Sequence, residues 1–454
     1  MKKSLIGSLL LACTLIACSD DDNVTPEVKG NFKSILCNDQ PIAKDIQVDS
    51  KTKLNFSVTT ENTETANIIW TLNGDTLANG LDKALEVEGR SGKLKISLVE
   101  GQTTLDEAEV NLDGPFKSGA FLHSRISGDS FYNSGELAFI SDKPELIISP
   151  NEDYCSLFSD INPDKPNKMI NSITSSNNKL YIVDTDNIEI ADAQTLKSIQ
   201  TIPNIKGTEV VIINPTTLLV KAGKSLRLID LKDNKVSELS ALSSEPKDTK
   251  MAKLEKHTAI AGEHEIMFID NNNFTEVTSI KFNEESSVFN IITGNDGYLY
   301  AFLIGENAEI KEDHTASFIK INPTTLKVLN STPLAIETIN TSESLNNFYV
   351  TSHPNKDLFY FIDDSGWEGE FNIHSINYSG KHEVVNSIID KELMSVTIIN
   401  GYLGVDSNNR LYIPVSQESN KMNTYILDLE TNQFLEYDYT QFSYMSYIDV
   451  LPSN

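Results

Sequence analysis

A four-strand unit repeats along most of this chain, and it restricts the fold more than any other feature of the sequence. The clearest copy runs from Met169 to Ile202. It reads Ile170–Ile173, Lys179–Val183, Ile188–Asp192 and Leu196–Ile202, short apolar runs joined by Asn, Asp and Thr turns. Similar units follow over Glu209–Ser240, Met251–Phe282, Val288–Leu334, Phe348–Ile389 and Ile398–Tyr439. Ahead of them, Gly119–Pro150 supplies only three strands: Ala120–Ser124, Gly135–Ile140 and Glu145–Ser149. Behind them, Tyr444–Leu451 supplies one.

Three strands and one complete a further unit drawn from both ends of the chain. A ring closed in this way leaves no open sheet edge. The expectation over 117–454 is therefore an all-β fold, a seven-bladed β-propeller closed by the C-terminal strand. Eight blades, or six with a stray hairpin, are the alternatives. The part before it, 31–113, reads as a separate β-sandwich of immunoglobulin or PKD type. Lys53–Val58 alternates polar and apolar residues, Asn67–Leu72 ends at the turn pair Asn73-Gly74, and Lys93–Leu98 is a third strand. Trp70 is expected in its core, and a stalk is the expected role, with binding as the alternative.

The first residues place the chain. Lys2 and Lys3 precede an apolar run, Leu5–Ile16, shorter than the roughly 20 residues a membrane-spanning helix needs. Leu15-Ile16-Ala17-Cys18 has the form of a bacterial lipobox. The expectation is a signal peptide over 1–17, lipidation at Cys18 and a tether over 18–30. A secreted protein cut elsewhere is the alternative. Acyl chains at about 0.8 kcal/mol per buried methylene would then supply the membrane contact. Ser19-Asp20-Asp21-Asp22 reads as a solvated acidic tether, and it also resembles the signal for the outer face of the outer membrane in certain gut Gram-negative bacteria.

With 37 Lys and Arg against 65 Asp and Glu, the net charge is −28, which repels phosphate backbones and argues against a nucleic-acid partner. Of four cysteines, Cys37 and Cys155 remain after Cys13 and Cys18 are assigned. They fall in different domains and read as isolated thiols, with a disulfide as the alternative. The sequence holds no CxxC pair, HExxH, GxSxG or Walker loop. Asp184–Asn187 is a turn or, alternatively, a calcium loop. The lone His264 carries little weight. No metal, cofactor or catalytic group is expected, so the chain reads as a binding protein and not an enzyme.

Two segments add a resemblance. Asn178–Val183 with Ile188–Lys197, and more weakly Phe318–Val328, are similar to the repeats of YncE-like propellers. Gly119–Phe121, Asn133–Leu137 and Tyr402–Ile413 resemble a branch of that group, the surface lipoproteins of DUF5074 type. That branch includes vitamin B12-capture propellers that pair with TonB-dependent transporters. The resemblance covers 117–454. It implies capture of a bulky, scarce solute and delivery to a TonB-dependent transporter in the outer membrane. A corrinoid is the favoured ligand and a ferric siderophore the alternative. A protein-interaction or adhesive propeller, or an enzyme, are the other readings. The N-terminal sandwich departs from the simplest capture form.

Propeller ligands usually bind where second-to-third-strand loops and the loops between blades gather. Here those loops carry Arg125, Phe131, Tyr132, Asn133, Tyr154, Phe158, Trp367, Gln441, Phe442 and Tyr444. Aromatics in Gly, Ser and Asn loops can stack on a planar ligand, while Arg125, Asn133 and Gln441 can bind its amides or carboxylates. For Phe131, Phe158 and Phe442 the alternative is a core position between blades.

Overall fold

The computed structural model describes residues 30–63, 65–125, 137–141, 147–148, 157–165, 170–239, 242–247, 249–305, 315–334, 350–364, 370–389, 403–417, 421–435, 442–443 and 447–452. The signal peptide, Cys18 and all of the expected tether except Gly30 lie outside them.

Among the described residues two sheets build the N-terminal part. One is ordered Gln40–Pro41, Asn31–Cys37, Lys53–Glu61, Ala84–Glu88. The other is ordered Asp45–Gln47, Thr103–Asp113, Gly92–Glu100, Asn67–Leu72, Asp75–Gly80. Period-two patterning explains their packing. Leu54, Phe56 and Val58 are buried on one strand, and Ile68, Trp70 and Leu72 on another. These side chains share one core with Leu94, Ile96, Leu98, Val110 and Leu112. Trp70 is fully buried, its ring 6.2 Å from that of Phe56. Asn73 and Gly74 turn the chain with φ of 52° and 88°, a tight hairpin that glycine makes without strain. Cys37 is a free, buried thiol whose pKa burial raises. Cys155 lies outside the described residues.

Among the described residues beyond 118 the strands form seven sheets. Sheet 1 holds Gly119–Arg125, Leu137–Ser141 and Ile147–Ile148, with Tyr447–Pro452 pairing antiparallel to Gly119–Arg125 so that Phe121 faces Leu451. Sheet 2 is Ile170–Ser176, Lys179–Asp184, Ile188–Asp192, Ser198–Ile202, and sheet 3 is Glu209–Asn214, Thr217–Ala222, Ser225–Asp230, Lys235–Glu238. Sheet 4 is Ala252–Lys253, His257–Ala261, Glu265–Asp270, Glu276–Lys281, and sheet 5 is Ser286–Thr293, Leu299–Gly305, Thr315–Ile321, Val328–Leu334. Sheet 6 is Val350–Ser352, Leu358–Asp364, Glu370–Asn377, His382–Ile389. Sheet 7 is Gly404–Val405, Arg410–Gln417, Lys421–Asp428, Gln433–Leu435, with Phe442–Ser443 as an extra strand beside Lys421–Asp428.

A recurring side-chain bond shapes these sheets. At the end of the third strand, Asp192, Asp270, Asn322 and Asp428 each accept from the backbone N–H groups two and three residues on. Such turns are why Asp and Asn recur at that place in the sequence. Asp184 does the same for Asp186 and Asn187, so its carboxylate caps a turn. Among the described residues no group of three or more His, Cys, Asp or Glu could hold a metal ion.

Apolar side chains fill the spaces between neighbouring sheets. Tyr181, Val183 and Ile188 of sheet 2 meet Val210, Leu218 and Val220 of sheet 3. Tyr412 and Ile426 of sheet 7 meet Ala120, Leu122 and Val450 of sheet 1. Within a sheet, successive strands are antiparallel. First-to-second and third-to-fourth turns therefore share one end, the turn end. Second-to-third turns and the connections between sheets share the other, the loop end.

Candidate functional site

The loop end is where the sequence places its ligand contacts. Arg125 closes its strand there, opposite Tyr447. Phe442 pairs with Met422 at the corresponding end of sheet 7. Phe131, Tyr132, Asn133, Tyr154, Trp367, Gln441 and Tyr444 lie outside the described residues. Phe158 requires a correction, because its ring is fully buried instead of lining a loop surface. The segment before sheet 2 contains a short helix, Leu157–Ile161, that turns Leu157 and Phe158 into the cluster of Phe121, Phe139, Leu180 and Leu196. Asn162 holds it there: its Nδ2 donates to Leu196 O at 2.8 Å, and its Oδ1 accepts from Ser198 N at 2.9 Å.

Between the first strands of sheets 2, 3 and 4 lies a cavity of about 320 Å³, with Leu451 of the C-terminal strand on its wall. That volume is at the lower limit of small-molecule pockets. It is too small for a bulky solute. The lining alternates apolar and polar residues as an inner strand must, with Ser172, Glu209, Lys250 and Lys253 among the polar ones. Glu209 Oε1 accepts from Met251 N at 2.6 Å, and its Oε2 is 3.2 Å from Lys221 Nζ. Lys221 Nζ in turn donates to Thr249 O at 2.6 Å. Lys253 Nζ donates to Ile212 O at 2.6 Å, and desolvation lowers its pKa. None of these residues belongs to a motif in the sequence. Their only sequence signal is polar residues spaced within apolar strands, which marks an inner face as readily as an outer one.

A second polar group sits at the loop end of sheet 4. Lys247 Nζ donates to Ser287 Oγ at 2.7 Å and lies 3.2 Å from Glu263, whose carboxylate also accepts from the Ser287 hydroxyl. Burial raises the Glu263 pKa, but the Ser287 bond and the Lys247 charge outweigh it and the net shift is downward. His264 Nδ1 lies 2.8 Å from Ser286 O. Every group here has a neighbour in the protein, so this cluster ties sheet 4 to sheet 5.

The turn end of sheet 2 is occupied by the N-terminal part. Asn178 Nδ2 donates to Ser91 O at 2.9 Å, Thr195 Oγ1 to Gly89 O at 2.7 Å, and Lys179 Nζ to Asp75 Oδ2 at 2.6 Å. Gln194 accepts from Gly114 N and Phe116 N at 3.1 and 3.0 Å, which fixes the connecting segment as well.

Residues 132–433 match the family described as Domain of unknown function (DUF5074), well over half of the chain. The chain belongs to the DUF5074 family. A search of curated proteins gives no match to this DUF5074 chain. Among solved structures it is similar to a quinoprotein alcohol dehydrogenase-like protein from Bacteroides thetaiotaomicron, at 14% identity and a TM-score of 0.50, over 91% of this chain and 96% of that one. It is also similar to a protein from Lactobacillus plantarum, at 12% identity and a TM-score of 0.49, over 74% of this chain and 99% of that one. At these identities the likeness concerns the fold alone. With the family match and the four-stranded sheets of the described residues, the first of these likenesses supports a β-propeller-like fold for this DUF5074 chain.

Proposed function

We propose that this protein is a non-enzymatic capture lipoprotein on the outer face of an outer membrane. It binds a bulky, scarce solute, a corrinoid first, and passes it to a TonB-dependent transporter. In this reading the sheets form a seven-bladed YncE-like propeller closed by Tyr447–Pro452, and the N-terminal sheets form an immunoglobulin- or PKD-like spacer. Lipidated Cys18 is the only membrane contact.

The observation that carries the reading is the placement of the N-terminal part. It grips the turn end of sheet 2 through Ser91, Gly89 and Asp75, which leaves the loop end, with Arg125 and Phe442, for a ligand. An anchor attached through the spacer would hold that end accessible to a transporter. The choice of a corrinoid comes from the resemblance of the repeat motifs.

Calorimetric titration of the full chain in detergent, with cyanocobalamin and then a ferric catecholate siderophore, tests it. Saturable corrinoid binding that Trp367→Ala or Tyr132→Ala abolishes is the expected result. Siderophore binding alone would change the ligand, and silence with both would move the weight to a protein partner.

A further inference from the structure

One buried histidine joins three sheets at the turn end, and its hydrogen bonds fit one protonation state. His353 lies in the turn between Val350–Ser352 and Leu358–Asp364 of sheet 6 and is 0% exposed. Its Nε2 is 2.9 Å from Asn409 Oδ1 in a turn of sheet 7, and its Nδ1 accepts from Asn355 N at 3.0 Å. Asn409 Nδ2 donates to the Glu430 carboxylate at 2.7 Å, which turns Oδ1 toward the imidazole. Nε2 therefore carries the proton and donates it, while Nδ1 is bare. On the other side, Asn295 of sheet 5 donates through Nδ2 to His353 O at 2.8 Å and to Lys356 O at 3.2 Å. The backbone closes the turn, with His353 N donating to Leu358 O at 2.9 Å.

We propose that His353 is a proton-operated latch: neutral, it ties sheets 5, 6 and 7 together at the turn end, and a proton on Nδ1 releases its turn. A second ring proton would point at Asn355 N–H, donor against donor, and would put a charge where water is scarce. Asn355, Lys356 and Asp357 are exposed, so the turn can move outward and meet water. The charged residues on the elements around the ring are Lys356 and Asp357 in its own turn, Asp296 in sheet 5, and Asp406, Arg410 and Glu430 in sheet 7. Burial holds Tyr360, whose ring is 6.2 Å away, and Tyr378 in their neutral forms. Burial also pushes the His353 pKa down; the Asn409 bond opposes this, Lys356 adds to it, Asp406 opposes it, and the net shift is downward. The latch is thus fully engaged above the ordinary 6.5 and is lost as pH falls through the lower, folded value. It lies at the opposite end from the proposed solute contacts and stands whether or not a solute binds there.

The test is hydrogen exchange by mass spectrometry on the full chain in detergent at pH 7.5 and pH 5.0. Results are expressed as protection factors, so the intrinsic pH dependence of exchange drops out. Residues 294–298, 353–358 and 406–410 should lose protection by about threefold or more at pH 5.0, while sheet 2 keeps its own. His353→Gln retains an N–H for Asn409 but takes no proton, and in it the loss should vanish. His382→Gln, on the outer strand of the same sheet, should respond as the parent does. No loss in the parent, an equal loss in folded His353→Gln, or a loss shared by sheet 2 overturns the proposal. Abolition by His382→Gln would trace the response to a different histidine and overturn it too. If His353→Gln does not fold, 15N NMR of the histidine-labelled parent decides. A proton on Nε2 alone, kept to a pH below the ordinary 6.5, supports the latch, and protonation of Nδ1 at or above that value overturns it.

Discussion

Ser91 and Asp192 hydrogen-bond twice across the two halves of the chain. The Ser91 backbone N–H donates to Asp192 Oδ2 at 2.8 Å, and its hydroxyl donates to Oδ1 at 2.5 Å. The same carboxylate accepts from Gln194 N and Thr195 N, and Arg90 Nε lies 3.7 Å away. Asp192 is 1% exposed, so this is a desolvated charge surrounded by donors. Charge-assisted bonds in such a place hold direction as well as energy. One residue therefore closes a hairpin in sheet 2 and fastens the N-terminal sheets to it.

Removing that carboxylate leaves several buried donors without an acceptor. Asp192→Ala is expected to cost about 3–5 kcal/mol, and Ser91→Ala about 1–3 kcal/mol. Differential scanning calorimetry should show the N-terminal part melting as a separate, earlier transition in Asp192→Ala. If the variant melts in the same way as the parent, the joint contributes nothing to stability.

Glu189 gives a pH dependence. It is buried in sheet 2, and burial raises its pKa, while the Thr201 hydroxyl and the Lys165 charge oppose the shift. The folded protein then holds this proton to higher pH than the unfolded chain, whose value lies near the ordinary 4.5. Stability from this group is greatest below 4.5 and falls as pH rises through the folded value. Glu189→Gln removes the charge, so it should be more stable than the parent at pH 7 and equal to it at pH 4. Urea unfolding at both pH values reads the difference. A variant less stable at neutral pH would contradict the sign.

The two tryptophans allow an optical check. Trp367→Ala leaves only Trp70, which is 0% exposed in the N-terminal core. Its emission should be short in wavelength and resist iodide quenching. Long-wavelength, quenchable emission would mean that the two N-terminal sheets do not pack as described. Trp70→Ala should cost about 3–5 kcal/mol through the cavity it leaves.

Phe158 is expected to act on stability alone. Phe158→Ala empties part of the space between sheets 1 and 2, at about 3–5 kcal/mol, and thermal unfolding should show it. Affinity for any loop-end ligand should stay at the parent value in the folded fraction. A selective loss of affinity would return Phe158 to the ligand contacts.

Much of the sheet structure was legible because strand patterning is local. Leu54, Phe56 and Val58 alternate with polar neighbours in the sequence and are buried in the fold. Sheet 2 was readable from Ile170 to Ile202 because Asn, Asp and Thr turns punctuate its four strands. The site was much less legible. Ser172 and Glu209 look like the solvent-facing half of alternating strands yet are buried, because alternation tells which residues share a face but not what lies over it. Phe158 looked like a loop aromatic because a helix of five residues, Leu157–Ile161, leaves too short a pattern to detect.

The sequence by itself determined the strands, their turns and the acidic balance of the chain, all of which depend on neighbours within a few residues. The tertiary structure alone decided what those turns touch. Asp192 is an ordinary turn residue from sequence, and its second function depends on Ser91, 101 positions away. The same holds for the cavity, whose wall takes one strand each from sheets 2, 3 and 4 and closes on Leu451. Contacts between residues so far apart are settled by how whole sheets pack, and no local pattern carries that information.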